Sequence, residues 1–262
     1  MKYLACLSHK PEFFRDNAIG LEPHILKDMD NPDWEAVKPF IRTVHLPFSR
    51  DGHALNLASF DDEERNADRH YLEEAIRIAA TLGTDRVTTH TCGLESVEGK
   101  VTGCYERMIS ALQSLAELAQ SFNLMLCIEN MCYRSPEKRH LYGSDAAEWF
   151  RIYEDVDRPN VKLTFDSSHA TSSVIPYKTL EERQKHLFDF LKYPERIVHV
   201  HWSDSRIATQ DGLFQDLHLI PGDGDLPREF HQAIRRLDAT FLLEQHCSDE
   251  DTLRGIRFLD SL

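Results

Sequence analysis

Eight short apolar runs of strand length recur along the chain, and a segment with helical spacing of its apolar residues follows each of them. A parallel strand requires a crossover connection, and eight tilted strands can close into a barrel. The alternation therefore predicts an α/β fold of the (β/α)8 TIM-barrel type, with a doubly wound open sheet as the alternative. The predicted strands are YLACLS (3–8), IGLEPHI (19–25), IRTVHLPF (41–48), RVTTHT (86–91), LMLCIEN (124–130), VKLTFDSS (161–168), IVHVHWSD (197–204) and TFLLEQ (240–245).

The length and apolar content of the chain suit one domain. Its 262 residues, of which 41% are hydrophobic, can bury a full core, and no repeat or low-complexity linker divides them. We therefore predict a single TIM-barrel domain over residues 1–262. No apolar run is long enough to span a bilayer, the first residues lack a cleavage site, and the six cysteines form no CxxC pair. These features favour a cytoplasmic protein with reduced thiols and no membrane partner.

The net charge of −14 restricts the class of ligand. Forty-four acidic residues oppose thirty basic ones, whereas proteins that bind nucleic acid neutralise its phosphates with Lys and Arg. The balance argues against nucleic acid and favours a small-molecule substrate. The chain also lacks a GxSxG motif and a P-loop, so no sequence motif indicates a serine nucleophile or a nucleotide phosphate site.

Residues of the types that can bind metal ions lie at the ends of six predicted strands. In a TIM barrel the carboxyl ends of the strands carry the active site. Imidazole and carboxylate together suit Zn, Mn or Fe, and without a cation the carboxylates would repel one another. The pattern therefore predicts a divalent metal site. The candidates are His45, His90, Glu129, Asp166, His201 and Glu244 at the strand ends, His169 just beyond the sixth strand, and Asp216 and His218 in the loop after the seventh.

Each candidate also has a purely structural alternative. A lone His at a strand end is often only hydrogen-bonded, and Asp166 could cap a helix turn.

Ser144 is predicted as the N-cap of the helix that begins SDAAEWF. We expect His199 to point away from His201, so that at most one of them reaches the metal site. The role of Glu22 is left open.

Eight motifs in order, which together contain the nine candidate ligands, resemble the xylose-isomerase-like TIM barrel superfamily, which includes endonuclease IV type nucleases and many sugar isomerases and epimerases. The resemblance covers nearly the whole chain, and the ordered set is far more specific than any one motif. The motifs are HLPFS, HTCG, CIEN, FDSSHA, HVHWSDS, DLH, PGDGDLP and LLEQ. FDSSHA contains two of the candidate ligands, Asp166 and His169.

The resemblance implies two alternative sites. In the isomerases and epimerases one metal would be held by Glu129, Asp166, His201 and Glu244, and the two glutamates, Glu129 and Glu244, would also act as catalytic acid and base. In the nuclease branch the nine candidate residues would hold three zinc ions. The first would lie between His45, His90 and Glu129, the second in the four-residue set, and the third between His169, Asp216 and His218.

All nine positions of the nuclease branch are filled, which favours a trinuclear-zinc-type phosphoester hydrolase acting on a small phosphorylated substrate. The alternative is a mononuclear sugar or sugar-phosphate isomerase or epimerase, a branch in which the position of His218 can carry an arginine. Further alternatives are an apurinic-site DNA endonuclease, which the acidic composition argues against, and a non-catalytic barrel. Zinc is the preferred metal, with Mn or Fe as alternatives, and the sequence leaves the oligomeric state open.

Overall fold

Eight parallel strands form the centre of the molecule in the computed structural model, which describes residues 2–133, 139–208 and 216–262. Around the sheet the strands follow the order β2, β1, β8, β7, β6, β5, β4 and β3, and each hydrogen-bonded pair is parallel. The strands are β1 (Tyr3–Ala5), β2 (Gly20–Leu21), β3 (Val44–His45), β4 (Arg86–Thr89), β5 (Met125–Glu129), β6 (Val161–Asp166), β7 (Ile197–His201) and β8 (Thr240–Leu243).

The two outer strands of this order, β2 and β3, also meet. Parallel bridges join Leu21 to Ile41 and His24 to His45. The His45 amide donates to the Pro23 carbonyl at 2.9 Å, and the Ile25 amide donates to the His45 carbonyl at 3.0 Å. The sheet therefore curls back on itself, and the prediction of a TIM barrel is confirmed.

Strands β2 and β3 are much shorter than the apolar runs that predicted them. Pro23 lies in the middle of the predicted strand over residues 19–25 and has no amide hydrogen to donate, so the ladder is interrupted there. One isolated bridge on each side of Pro23 replaces the ladder. The apolar pattern identified the right segments but not the length over which they pair.

Helices surround the barrel and connect its strands. The longest, α3, buries Leu72, Ala75, Ile76 and Ala79, whose spacing of three and four residues places them on one face. The helices are α1 (Pro11–Asn17), α2 (Trp34–Val37), α3 (Asp62–Ala79), α4 (Tyr105–Ser121), α5 (Ala146–Val156), α6 (Ser167–Ser173), α7 (Leu180–Asp189), α8 (Arg228–Arg235) and α9 (Asp249–Asp260). None of the helices in the described ranges has the length and apolar character needed to cross a membrane.

Helix α3 begins at a capping aspartate whose contribution can be measured. The Asp61 carboxylate accepts hydrogen bonds from the amides of Glu63 (2.9 Å) and Glu64 (3.2 Å). We expect Asp61→Ala to lower the free energy of unfolding by about 1 kcal/mol, because these two amides lose their partner. Glu63→Ala removes an acidic side chain from the same turn but no cap, and should cost less. Urea denaturation of both variants measures the difference, and equal losses would contradict the capping role.

The N-cap of α5 differs from the prediction. Asp145, not Ser144, caps the helix, because the Asp145 carboxylate accepts a hydrogen bond from the Glu148 amide at 3.0 Å. Ser144 is buried one residue earlier. Both residue types are good caps, and the sequence alone could not locate the first helical turn to within one residue.

Alternation along the strands divides the inside of the barrel from the helical layer. On β6 the Phe165 ring faces outward and packs near Trp149 and Phe190, with ring centroids 6.3 and 6.0 Å away. Its neighbour Thr164 faces inward, where its hydroxyl lies 3.0 Å from that of Thr88. Residues two apart share a face, so Asp166 also faces the inside of the barrel, at its carboxyl end.

Two small antiparallel sheets, which the sequence analysis did not predict, accompany the barrel. A hairpin pairs Ser49–Arg50 with His53–Ala54, and a three-stranded sheet contains Leu94–Val97, Lys100–Val101 and Arg139–Leu141. The hairpin turn consists of Asp51 and Gly52, both with positive φ, a dipeptide typical of such turns. Residues at the edges of both sheets, among them Ala54 and Leu141, line the pocket described next.

Candidate metal centre

All nine predicted ligands lie at the carboxyl end of the barrel, around or just beneath a pocket of about 320 Å³. His45, His90, His169, His218 and Glu244 are among the residues that line it. A larger groove of about 470 Å³ lies in the outer layer between α5 and α7, away from every candidate residue. We place the functional site at the smaller pocket, because several groups of potential metal ligands converge around and beneath it.

Three side chains at the ends of strands and a fourth just after β8 meet around one point. The Nδ1 atom of His201 lies 3.1 Å from Glu244 Oε2, 3.2 Å from Glu129 Oε1 and 3.9 Å from Asp166 Oδ2. One ligand atom from each of the four residues lies within 4.8 Å of the others. Glu129, Asp166 and His201 are fully buried, and the Glu244 side chain is only 16% exposed.

The unpaired atoms of this group fit a bound cation. Asp166 Oδ2, His201 Nδ1 and Glu244 Oε2 are buried and have no hydrogen-bond partner. A buried polar atom without a partner costs on the order of 1–3 kcal/mol, and here three such atoms face a common centre. Three carboxylates and one imidazole form a donor set that suits a divalent first-row ion. The four residues therefore meet the requirements of a metal site.

The electrostatics of the four-residue set also favour a cation. Burial opposes charge on Glu129, but the imidazoles of His201 and His90 hold the pKa of this carboxyl well below its usual range. Burial likewise opposes charge on His201, yet Glu129 and Glu244 raise the pKa of the imidazole well above its usual value. The carboxylates thus stabilise positive charge at the centre, whether as an imidazolium or as a metal ion.

Asp166 has both of the roles that the sequence suggested for it. Its Oδ1 atom accepts a hydrogen bond from the His169 amide at 2.6 Å and caps the short helix α6, which the sequence analysis did not predict. Its Oδ2 atom is the unpaired atom that faces His201. Burial raises the pKa of Asp166 to about 7 despite the nearby His169. Capping and ligation are therefore compatible, because they use different oxygens.

His45 and His90 approach the other oxygen of Glu129. Their Nε2 atoms lie 3.2 and 3.4 Å from Glu129 Oε2, and the three residues form a possible ligand group. The Nδ1 atom of His45 donates to the Leu46 carbonyl at 2.7 Å, which leaves Nε2 directed at the carboxylate. Burial lowers the pKa of His90 to about 3. The neutral form of His90 is the form that binds metal.

The last three candidates, His169, Asp216 and His218, form a third cluster at the pocket. Asp216 lies between two imidazoles, with Oδ1 at 2.9 Å from His218 Nε2 and Oδ2 at 3.6 Å from His169 Nε2. Burial disfavours charge on His218, but the Asp216 carboxylate beside it raises the pKa of this imidazole to about 9. The nine residues are thus near neighbours, and their assignment to one, two or three ions stays a prediction. Residues 209–215, which precede Asp216, lie outside the described part of the chain.

Glu22 and His199, which the sequence left without a role, form a buried layer beneath the metal centre. Glu22 Oε1 lies 3.0 Å from His201 Nε2, and Glu22 Oε2 lies 2.7 Å from His199 Nε2 and also accepts from the Thr43 hydroxyl. The expectation that His199 points away from His201 was wrong, because residues two apart in a strand share a face. Glu22 orients the His201 ring so that Nδ1 faces the other three candidate ligands.

This orientation predicts an effect on metal affinity. In Glu22→Gln the charge that holds His201 Nε2 is lost, so we expect affinity for Mn²⁺ or Zn²⁺ to fall by roughly 10- to 100-fold. Titration calorimetry on chelator-treated protein measures this change. Glu148→Gln on α5 is the matched control, since that carboxylate accepts from the Gly143 amide outside the site. Unchanged affinity in Glu22→Gln would show that His201 keeps its orientation without the carboxylate.

Fold and site together define a barrel enzyme scaffold with a ligand cluster at the carboxyl ends of its strands. The chain belongs to the xylose isomerase-like TIM barrel family, whose sequence profile matches residues 18–262. This agrees with the resemblance found in the motifs.

Individual relatives are distant. The uncharacterized protein MJ1311 of Methanocaldococcus jannaschii is 27% identical over 184 residues, which cover 70% of this chain and 56% of that protein. The chain thus spans little more than half of this relative. A D-tagatose 3-epimerase-like protein superposes with a TM-score of 0.71 at 19% identity, covering 100% of this chain and 96% of its own. A D-psicose 3-epimerase crystallised in the presence of D-fructose gives 0.68 at 18% identity, covering 98% of each chain. These structures share the fold.

Proposed function

We propose that the protein is a divalent-metal-dependent isomerase or epimerase that acts on a sugar or a related polyhydroxy carbonyl compound. The observation that carries the proposal is the convergence of Glu129 and Glu244 on one centre with Asp166 and His201. The sequence analysis favoured a trinuclear phosphoester hydrolase. The similarity in fold to two sugar epimerases supports the alternative instead, and we reverse that order.

The two glutamates come from different sides of the barrel. Glu129 ends β5 and Glu244 directly follows β8, and β6 and β7 lie between those strands. Burial opposes charge on Glu244, but His201 and His218 hold the pKa of this carboxyl below its usual value. Both glutamates are therefore ionised at neutral pH and able to accept a proton. Two such groups around one substrate suit the removal of a proton from one face of a carbon and its return to the other.

A divalent ion bound by Glu129, Asp166, His201 and Glu244 would polarise the substrate carbonyl and so acidify the neighbouring C–H bond. One glutamate would take the proton from the carbon next to the carbonyl. The other glutamate, after taking up a proton from solvent, would return a proton to the opposite face of that carbon, and the first would release its proton to solvent. Asp166, which also caps α6, and Glu22, which orients His201, would keep these groups in position.

The pocket supports an uncharged substrate. Among its lining residues in the described ranges there is no Lys or Arg, the residues that most often bind phosphate. Its lining also includes the apolar side chains of Phe48, Leu55, Met131 and Leu141. We therefore propose a free sugar or sugar derivative rather than a sugar phosphate.

The experiment that tests the function is solvent isotope exchange. The protein is treated with chelator, reloaded with Mn²⁺ or Zn²⁺, and incubated in deuterium oxide with a panel of ketoses that includes D-tagatose, D-psicose and D-fructose. We expect NMR to show metal-dependent deuterium incorporation next to the carbonyl and formation of the epimer or isomer. Absence of exchange across the panel, with phosphoester hydrolysis by the same preparation, would replace this proposal with the second candidate.

The second candidate is a three-metal phosphoesterase. It is favoured by the two additional clusters, His45 and His90 on Glu129, and His169 and His218 on Asp216. In a mononuclear isomerase these histidines need not bind metal.

Two variants separate the candidates. In the isomerase, His45→Ala and His218→Ala should retain one ion per chain and most of the exchange activity, because neither residue belongs to the four-residue set. In the phosphoesterase each variant should lose about one of three ions and nearly all hydrolysis. Elemental mass spectrometry on untagged protein measures the ion count. Three ions in the wild type and two in each variant would contradict the isomerase.

A further inference from the structure

We propose that a second, smaller cavity beside the metal pocket binds a carboxylate at the far end of the substrate, which makes the substrate a ketose acid. This inference rests on the proposed function and narrows it, because the metal pocket receives the uncharged carbonyl end and only the distal end carries charge. The smaller cavity has a volume of about 160 Å³. This volume is the share of roughly five water molecules in the liquid, which is enough for a carboxylate and the carbon atoms next to it.

Three residues border both cavities. His24, Phe48 and Ser49 line the smaller cavity as well as the metal pocket. The His24 ring stacks on the His45 ring with 4.5 Å between their centroids, and the His45 ring lies 5.6 Å from that of His201. One imidazole ring thus separates the wall of the smaller cavity from the metal centre. A substrate whose carbonyl lies at the metal centre would extend past His24 and Phe48 into the smaller cavity.

Lys27 supplies the positive charge of the smaller cavity. Its ammonium group has no hydrogen-bond or ion-pair partner within residues 2–133, 139–208 and 216–262. Tyr71 lines the same cavity, and its hydroxyl group likewise has no partner in this described part of the chain. Both groups can donate hydrogen bonds to a carboxylate. A single ammonium group balances the one charge of a carboxylate, whereas a phosphate group carries about −1.5 to −2 at neutral pH.

The backbone around Lys27 is held in a closed turn. The Asp28 amide donates to the His24 carbonyl at 2.9 Å, and the Asp28 carboxylate accepts from the His24 amide at 2.8 Å. Within this turn Leu26 has a φ of 71°, in the left-handed region that a bulky residue rarely adopts. Strained positions of this kind cluster at ligand sites. The turn presents Lys27 from a fixed backbone, which lowers the entropic cost of binding.

A matched pair of sugars tests the proposal. D-tagaturonate is D-tagatose with a carboxylate at carbon 6, the carbon farthest from the reacting end. We expect titration calorimetry to show that the Mn²⁺-loaded protein binds D-tagaturonate more tightly than D-tagatose by roughly fivefold, the size of effect that one exposed ion pair can give. Deuterium exchange should show the same preference in kcat/KM. Added salt should weaken the preference, since the Lys27 side chain is exposed.

Variants of Lys27 assign the preference to this charge. Lys27→Met should bring the two affinities to within about twofold of each other, and Lys27→Arg should keep the preference. Lys10→Met is the matched control, because Lys10 pairs with Asp33 outside both cavities, and it should also keep the preference. Equal affinities in the wild type, or a preference that survives in Lys27→Met, would overturn the proposal. Tighter Lys27-dependent binding of D-tagatose 6-phosphate than of D-tagaturonate would overturn the assignment to a carboxylate.

The result is separable from the test of the proposed function, because calorimetry measures binding without turnover. Exchange on D-tagatose without a preference for the carboxylate would leave the isomerase proposal standing and would overturn the role of the smaller cavity. A preference in binding that depends on Lys27, without exchange on either sugar, would support the carboxylate site and contradict the proposed reaction.

Discussion

Replacing Glu244 by Gln should lower the rate of epimerisation by about 10²- to 10⁴-fold even at saturating metal, because a glutamine cannot accept the proton that the carboxylate takes or gives. Glu129→Gln should have an effect of the same size. A carboxylate oxygen of Glu129 lies 3.2 Å from His201 Nδ1, and one of Glu244 lies 3.1 Å from it. Glutamine has nearly the same shape as glutamate, so the substitutions change the charge of the site more than its shape. Deuterium incorporation followed by NMR, at Mn²⁺ concentrations that saturate binding, is the measurement.

Glu22→Gln is the control for this experiment. Glu22 contacts His201 from below and does not line the pocket, so its loss should weaken metal binding without removing a proton acceptor. Saturating Mn²⁺ should restore exchange in Glu22→Gln and should fail to restore it in Glu244→Gln. Recovery of both variants would assign Glu244 to metal binding alone and remove it from the catalytic step.

Asp166→Asn should lower metal affinity by more than the roughly 10- to 100-fold typical of residues that act through a ligand. The substitution removes the charge of the unpaired Oδ2 atom that faces His201. Asparagine caps helices as well as aspartate does, so the hydrogen bond from the His169 amide and the start of α6 should persist. Calorimetric titration and a thermal melt of the chelator-treated variant separate metal affinity from stability.

Asp145→Asn provides the matched change outside the site. Asp145 caps α5 through the same type of contact, to the Glu148 amide at 3.0 Å. We expect this variant to bind metal with wild-type affinity. Asp166→Asn with unchanged affinity would leave Asp166 as a cap only and would reduce the centre to three residues.

The positions of the strands along the chain could be predicted from the sequence, whereas the contacts between their side chains could not. Apolar runs locate the strands, and parallel pairing brings their carboxyl ends together. All nine candidates, from His45 to Glu244, therefore lie at one end of the barrel, as expected. The helix-capping role of Asp166 was also predicted as an alternative. An aspartate at the end of a strand can either cap the next helix or bind a metal ion, and both roles require the same local sequence.

The sequence by itself determined the barrel, the order of its strands along the chain and the chemical character of its carboxyl end, because these depend on local periodicity and on side-chain type. Only the tertiary structure decided that Glu22 supports His201, that His199 shares this buried layer, and that His24 stacks on His45. Those pairs are separated by up to 179 positions along the chain. Their proximity follows from strand order and register in the closed sheet, which no local pattern encodes.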